Sequence, residues 1–180
     1  MFVELVRIES LSNNSYVVGS EQSGRCIVID PARDVDRYVQ IAGNHGTRIV
    51  YTFETHVHND FVSGARELAD QTGCQVGASA SGGLLFPSVR LQEDDEFDLG
   101  EFMVRVLHTP GHTPGHFVFA DRAEGVLFAG DHVLPTITPS IGFTVPPTDQ
   151  PLGDFLGSLA RVRSLPDLRV LPAHGPIAPS

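Results

Sequence analysis

The sequence has few of the features on which secreted, membrane-spanning and disulfide-linked proteins depend. It contains no tryptophan and only two cysteines, Cys26 and Cys74, which cannot form the disulfide framework of a small secreted protein. No segment approaches roughly 18 consecutive apolar residues, so no membrane span is expected. The N-terminus lacks the basic segment followed by an apolar segment that marks a signal peptide. We therefore expect a soluble, cytoplasmic protein.

Basic residues are also scarce, and this scarcity limits the classes of binding partner. Lysine and arginine together number 12 against 22 for aspartate and glutamate, which gives a formal net charge of −10 at pH 7. DNA, RNA and anionic membranes bind basic protein surfaces, so the charge argues against a nucleic acid or a membrane as the main partner. A small molecule is the expected substrate.

The length and the hydrophobic pattern predict one layered domain that spans residues 1–180. A chain of 180 residues buries roughly 70% of its unfolded surface and needs no disulfides. Short apolar runs between turn residues predict strands at 15–19, 26–30, 48–53, 75–78, 102–107, 116–120, 125–129 and 169–171. Apolar residues at helical spacing predict helices at 35–44, 62–72 and 152–162. This order indicates an α/β protein with mixed sheets.

Histidine is the unusual residue, with eight copies in the chain, and two of them follow the predicted strand 48–53. His56, His58 and Asp60 lie at alternate positions directly after that strand. Alternate side chains of an extended segment point to the same side. Imidazole and carboxylate groups together are typical ligands of zinc, iron or manganese. The pattern therefore predicts a metal site at this strand end.

Three further strand ends also carry histidine or aspartate. His112 lies in the loop 109–116, which two prolines stiffen and two glycines open. Asp131 follows the predicted strand 125–129, and His174 follows the last predicted strand. Side chains that several strand ends deliver to one edge of a sheet form a site. We therefore predict that these three residues join the first group.

This arrangement resembles the metallo-β-lactamase superfamily over nearly the whole chain. The residues that carry the resemblance are the His-x-His-x-Asp motif at 56–60 and, at the third, fourth and fifth motif positions, His112, Asp131 and His174. The resemblance implies an αββα sandwich with a metal site at one edge between two mixed β-sheets. It also implies that Asp60 and Asp131 are catalytic residues that orient a metal-activated water.

One position departs from the family pattern. The family usually has a further histidine directly after the aspartate of the first motif, where this sequence has Phe61. In members with two metals, the first metal is held by the counterparts of His56, His58 and His112. The second is held by the counterparts of Asp60, the missing histidine and His174, and the counterpart of Asp131 bridges the two. Because phenylalanine cannot ligate a metal, we expect one firmly bound metal, zinc in the first instance, and a second that is weak or absent.

The two halves of the sequence resemble different branches of the superfamily. Residues 29–36 and 54–69 resemble the persulfide dioxygenase and rhodanese-associated group. In persulfide dioxygenases iron is held by the counterparts of His56, His112 and Asp131. Residues 130–142 and 172–176 resemble the general hydrolases, among them glyoxalase II-like enzymes. A recombined chain is one hypothesis for this mixture.

The expected function is hydrolysis of a thioester, ester, lactone or phosphoester by a metal-activated water. The first alternative is an iron-dependent persulfide dioxygenase that acts on glutathione persulfide or a similar thiol persulfide. The second alternative is a metal-binding protein with little catalytic activity, because Phe61 removes one ligand. Zinc with ester turnover favours the hydrolase, whereas iron with oxygen uptake favours the dioxygenase.

Several neighbouring residues carry secondary expectations. His116 is expected either to hydrogen-bond a metal ligand or to cap a hairpin, and His132 to be solvated or to face the substrate. The long loop 135–151, rich in proline, is the expected substrate contact. The sequence continues only six residues past His174, which is short for this family. We therefore expect a sheet face that is thinly covered or that a partner chain covers, as in a homodimer.

Overall fold

The computed structural model describes residues 1–142 and 149–177, which form two β-sheets with helices on their outer faces. The strands of the first sheet, in spatial order, are β1 (Phe2–Ile8), β2 (Asn13–Ser20), β3 (Arg25–Ile29), β4 (Arg48–Phe53), β5 (Gln75–Ser79) and β6 (Val89–Leu91). The strands of the second, in spatial order, are β11 (Arg169–Pro172), β10 (Val126–Gly130), β9 (Phe117–Asp121), β8 (Met103–His108) and β7 (Glu96–Asp98). The helices are α1 (Asp36–Asn44), α2 (Ala65–Thr72) and α3 (Pro151–Arg163).

Both sheets are mixed, as the sequence predicts. Strands β1, β2 and β3 pair antiparallel, whereas β3 to β6 pair parallel. In the second sheet only β10 and β11 pair parallel. The parallel pairs β3–β4 and β10–β11 bring their carboxyl ends to the same edge of each sheet, and residues that follow such strand ends are placed side by side.

The main hydrophobic core lies between the two sheets. Phe53 of the first sheet stacks on Phe119 of the second, with 5.2 Å between the ring centroids. Tyr16 meets Phe128 across the same interface, edge to face at 5.4 Å. These side chains are almost fully buried, and large aromatic side chains contribute much of the apolar area that such a core removes from water.

Two outer layers complete the sandwich. Tyr38 of α1 and Leu68 of α2 are fully buried against the outer face of the first sheet. Val162 at the end of α3 packs, with Leu165 and Leu168, against the outer face of the second sheet. The four-layer αββα arrangement that the resemblance implies is therefore confirmed.

The structure adds three strands to those predicted and shortens one helix. Strands β1, β6 and β7 were not predicted; β6 and β7 have three residues each, and so short a run carries little hydrophobic pattern. Helix α2 begins at Ala65 rather than at residue 62. Ser63 forms an isolated β-bridge with Ala32, and the N–H of Gly64 donates to the carbonyl of Pro31 at 2.7 Å. These contacts hold the segment before α2 in an extended path.

Within residues 1–142 and 149–177, no helix is both long enough and apolar enough to cross a lipid bilayer.

The packing of Phe119 makes a direct prediction for stability. Phe119 is fully buried between the sheets, so Phe119→Ala should lower the free energy of unfolding by about 3–5 kcal/mol in urea denaturation. Leu85 is fully exposed, and Leu85→Ala should change this free energy by less than about 0.5 kcal/mol. Equal effects of the two substitutions would contradict the assignment of the core.

Candidate metal centre

The structure brings together His56, His112 and Asp131 from three different loops. One ligand atom of each residue lies within 4.8 Å of the others. Nε2 of His112 is 3.4 Å from Oδ2 of Asp131, and Nε2 of His56 is 3.9 Å from the same oxygen. All three residues are nearly buried, so a cation there would be partly shielded from solvent.

His174 and Asp60 extend this group on the more exposed side. Nε2 of His174 is 3.2 Å from Oδ2 of Asp60 and 3.4 Å from Oδ1 of Asp131. The Asp60 side chain keeps 35% of its surface exposed, against 12% for Asp131. Asp131 therefore lies between the His56–His112 side and the His174–Asp60 side of the cluster.

His58 is oriented differently from the other predicted ligands. Its Nε2 is 3.1 Å from Oδ1 of Asp30 and 3.1 Å from Oε2 of Glu54, on the side away from Asp131. Its Nδ1 is 3.8 Å from Oδ1 of Asp60. His58 thus belongs to a second group of possible metal ligands, with Asp30 and Glu54, and only its Nδ1 faces the first group.

Hydrogen bonds fix which ring nitrogen the other three histidines present to the centre. Nδ1 of His56 pairs with Oγ1 of Thr55 at 3.0 Å. Nδ1 of His112 donates to the carbonyl of Ser140 at 2.7 Å, and Nδ1 of His174 donates to the carbonyl of Ser12 at 2.8 Å. Because the Nδ1 atoms are occupied, the Nε2 atoms are free to bind a cation.

The loops that carry these residues are anchored across the two sheets. Nδ2 of Asn14 donates to the carbonyls of Pro172 and Gly175 at 3.0 and 2.9 Å, which holds the segment that precedes and follows His174. Oγ of Ser158 in α3 donates to the carbonyl of Pro110 at 2.9 Å, next to the loop of His112. The site therefore depends on contacts between the sheets and with α3.

The charges of the cluster suit a divalent cation. Burial and the neighbouring histidines lower the pKa of His56 well below its ordinary value, which keeps the imidazole neutral. Burial raises the pKa of Asp131. The hydrogen bond with Asp60 raises the pKa of His174 to about 9, and the same bond lowers the pKa of Asp60. These two residues form an ion pair whose proton a cation would displace.

The donor atoms also fit a metal. Oδ1 of Asp131 is buried and makes no hydrogen bond within the described part of the chain, and a buried oxygen without a partner is costly. A cation bound at this carboxylate would remove that cost. Neutral imidazoles and a carboxylate are the donors that zinc and iron take in proteins.

His116 hydrogen-bonds a predicted metal ligand, whereas the position of His132 differs from the one that the sequence predicts. Nε2 of His116 accepts the backbone N–H of Asp131 at 3.2 Å, and Nδ1 pairs with Oγ1 of Thr109 at 2.9 Å. The expectation that His132 is solvated is wrong. Its side chain is fully buried, 5.2 Å from the ring of Phe155 on α3, and burial lowers its pKa to about 4.

Sequence reasoning missed Asp30 and Glu54, which follow β3 and β4 directly. The sequence signal was available, since each is an acidic residue at the end of an apolar strand that pairs parallel with its neighbour.

Phe61 is nearly buried, with its ring 4.3 Å from that of His58. The predicted substrate loop is described only in part: residues 143–148, with Phe143, lie outside the described residues.

The model of the metallo-β-lactamase superfamily matches residues 9–174. A crystal structure of a metallo-β-lactamase from Staphylococcus aureus superposes with a TM-score of 0.85 and 28% identity, over 97% of this chain and 55% of that one.

Three curated relatives carry two different names. A hydroxyacylglutathione hydrolase of Methylococcus capsulatus is 32% identical over 176 residues, which are 96% of this chain and 63% of that protein. The hydroxyacylglutathione hydrolase GloC of Haemophilus influenzae is 27% identical, over 97% of this chain and 91% of that protein. The mitochondrial persulfide dioxygenase ETHE1 of Homo sapiens is 30% identical over 122 residues, which are 67% of this chain and 48% of that protein. The chain thus spans about half to two-thirds of the first and third relatives.

The glycine before Asp131 allows a prediction that links backbone and site. Gly130 has φ +51°, and a Cβ there would lie 2.7 Å from Oγ1 of Thr55 and 2.8 Å from Nε2 of His116. Gly130→Ala should therefore destabilise the fold by roughly 3 kcal/mol and weaken metal binding, since Asp131 must shift.

Gly125 provides the matched control for this substitution. It also has a positive φ, +68°, but a Cβ there meets nothing within 4 Å. Gly125→Ala should cost only the backbone strain, about 1 kcal/mol in chemical denaturation, and leave metal binding intact. The steric account fails if both variants lose the same stability and both bind metal like the wild type.

Proposed function

The chain belongs to the metallo-β-lactamase superfamily, and we propose that it is a metal-dependent hydrolase that cleaves a glutathione thioester. A relative named hydroxyacylglutathione hydrolase matches both halves of the chain. The match also covers 91% of GloC, so the protein that carries this name is only slightly longer than the region that it shares with this chain. These matches favour a thioester over the ester, lactone and phosphoester that the sequence leaves open.

The observation that carries the proposal is the convergence of histidine nitrogens on one buried carboxylate. Nε2 of His56, His112 and His174 all lie within 3.9 Å of an oxygen of Asp131. Three separate loops supply these histidines, so the arrangement depends on the tertiary fold. A buried carboxylate is stable only with a proton or a cation beside it.

In this proposal His56, His112 and Asp131 hold the firm metal, and His58 joins them through Nδ1. Zinc is the metal that we propose first, because His-rich centres with a carboxylate are typical zinc sites. A divalent metal held there supplies a water of lowered pKa, about 7, and polarises the scissile carbonyl. The second set, Asp60, Asp131 and His174, holds a metal weakly, because Phe61 supplies no ligand.

Two carboxylates, those of Asp60 and Asp131, orient the attacking water in this proposal. Asp60 is the more exposed, and His174 holds its Oδ2 at 3.2 Å. Oδ1 of Asp60, which lies 3.8 Å from Nδ1 of His58, is the oxygen that would accept a proton from water. Asp131 is held by the N–H that it donates to His116, and its carboxylate keeps the water near the reacting carbon.

An iron-dependent persulfide dioxygenase is the second candidate, and one observation favours it. The set His56, His112 and Asp131 is grouped within 4.8 Å, while Nε2 of His58 turns toward Asp30 and Glu54. Two histidines and one carboxylate with open positions form the ligand set of non-haem iron oxygenases. The human relative with that activity in its name is 30% identical over its matched region.

Metal content and turnover test the proposed function together. Protein purified without added metal should hold about one equivalent of zinc and hydrolyse a hydroxyacyl thioester of glutathione, measured by release of the thiol. His112→Ala should lose most of the metal and reduce turnover by at least about 100-fold, because it removes a ligand. His45→Ala changes a histidine that stacks on Phe2 at the surface and serves as the control.

The alternatives give different results in the same measurements. Bound iron, together with oxygen uptake in the presence of a thiol persulfide, would show that the protein is a dioxygenase and not a hydrolase. Metal binding without turnover of either substrate would leave a metal-binding protein. Unchanged metal content and activity in His112→Ala would contradict the proposed centre.

Phe61 tests the proposed weakness of the second metal. Phe61→His should raise the stoichiometry toward about two metals per chain, since it adds an imidazole directly after Asp60, where two-metal members of the family have a histidine. Phe61→Leu is the control, because it also removes the ring that packs on His58 but adds no donor. Metal titration followed by elemental analysis measures both variants. Two tightly bound metals in the wild type would show that Phe61 does not limit the site.

A further inference from the structure

We infer that Glu54 is a positioning residue which, with Asp30, holds the ring of His58 so that Nδ1 faces the metal centre. The inference rests on the proposed metal centre and concerns a residue outside its ligand set. Nε2 of His58 lies 3.1 Å from Oε2 of Glu54 and 3.1 Å from Oδ1 of Asp30. The three side chains expose 10% of their surface or less, so water does not compete for these contacts.

Both carboxylate oxygens of Asp30 have hydrogen-bond partners other than His58. Its Oδ1 accepts the backbone N–H of Thr55 at 2.7 Å, and its Oδ2 accepts the hydroxyl of the same residue at 2.8 Å. Asp30 has φ +50°, an uncommon backbone conformation for aspartate, and its carbonyl accepts the hydroxyl of Ser15 at 2.6 Å. Asp30 therefore fixes the backbone at the start of the first motif in addition to contacting His58.

Glu54 is different, because its Oε2 is directed at His58 and at no other group in the described ranges. This atom is buried and makes no hydrogen bond there apart from its close approach to Nε2 of His58. A buried carboxylate oxygen is costly without a partner. Its position is explained if it fixes the His58 ring.

The other carboxylate oxygen of Glu54 is tied to the start of α2. Oγ of Ser63 donates to Oε1 of Glu54 at 2.5 Å, and Oγ of Ser63 in turn accepts the backbone N–H of Ala65 at 3.0 Å. Helix N-termini stabilise nearby negative charge. A continuous chain of contacts thus runs from α2 through Ser63 and Glu54 to His58.

His58 is also the exception among the four histidines of the cluster. The outer nitrogens of the other three face neutral oxygens, namely those of Thr55, Ser140 and Ser12. A carboxylate behind a ligating histidine fixes its orientation and increases its basicity. Phe61 packs 4.3 Å from the His58 ring, which further limits its rotation. The ring is therefore held for ligation through Nδ1.

The affinity for metal tests this role without relying on activity. Glu54→Gln should weaken zinc binding by about 10–100-fold in competition with a chelator, the usual effect of losing such a partner. It should also change the absorption spectrum of the cobalt-substituted protein, because the His58 ligand shifts. Glu54→Asp should recover part of the affinity. Glu67→Gln removes the same charge from an exposed residue of α2 and should bind zinc like the wild type.

The possible outcomes separate this inference from the proposed centre. Wild-type protein that binds no metal would contradict the centre itself. A firm wild-type site with equal zinc affinity and cobalt spectra in Glu54→Gln and Glu67→Gln would overturn the role of Glu54 alone. Loss of one whole metal equivalent in Glu54→Gln, with the other unchanged, would make Asp30, Glu54 and His58 a metal site and also overturn it.

A variant that fails to fold does not end the test. Ser63→Ala removes the hydroxyl that holds Oε1 of Glu54 and accepts the N–H of Ala65, and it leaves both carboxylates in place. It should weaken zinc binding in the same direction by a smaller factor. Unchanged affinity in a folded Ser63→Ala protein would contradict the chain of contacts from α2 to His58.

Discussion

The burial of the Asp131 carboxylate among three histidines is the interaction on which the rest of the site depends. A carboxylate in a nearly dry environment needs a positive charge or several donors beside it. Asp131 receives a proton-bearing His174 on one side and the nitrogens of His56 and His112 on the other. Removal of His174 takes away the positive charge beside this carboxylate, and removal of His56 or His112 takes away a nitrogen ligand. A divalent cation supplies that positive charge most completely, and the positions of the ligands follow from it.

The fold brings distant parts of the chain to this carboxylate. Parallel strand pairs place the ends of β3 and β4, and of β10 and β11, at one edge. Hydrogen bonds then join the sheets there: the N–H of Phe117 donates to the carbonyl of Thr55, and Asn14 holds the segment around His174. The inter-sheet aromatic core sets the spacing of the two edges. Stability of the core and geometry of the site are therefore linked.

Much of this could be predicted from sequence because strand ends with histidine or aspartate are visible as local patterns. The resemblance to the metallo-β-lactamase superfamily, which His56, His112, Asp131 and His174 carry, implied the αββα fold as well as the cluster. The choice of ring nitrogen could not be predicted, since it depends on Ser140, Ser12 and other distant acceptors. Glu54 follows an apolar strand, as the ligands do, but the sequence does not show that its side chain is buried against His58. His132 follows Asp131, yet α3 covers it, and the sequence does not show that packing.

The most direct measurement of the central claim is X-ray diffraction from crystals of the purified protein, collected on both sides of the zinc and iron absorption edges. The account predicts an anomalous peak bonded to Nε2 of His56, Nε2 of His112 and a carboxylate oxygen of Asp131, with Nδ1 of His58 directed at it. A peak bonded instead by Asp30, Glu54 and Nε2 of His58, or no peak in metal-replete crystals, would contradict it.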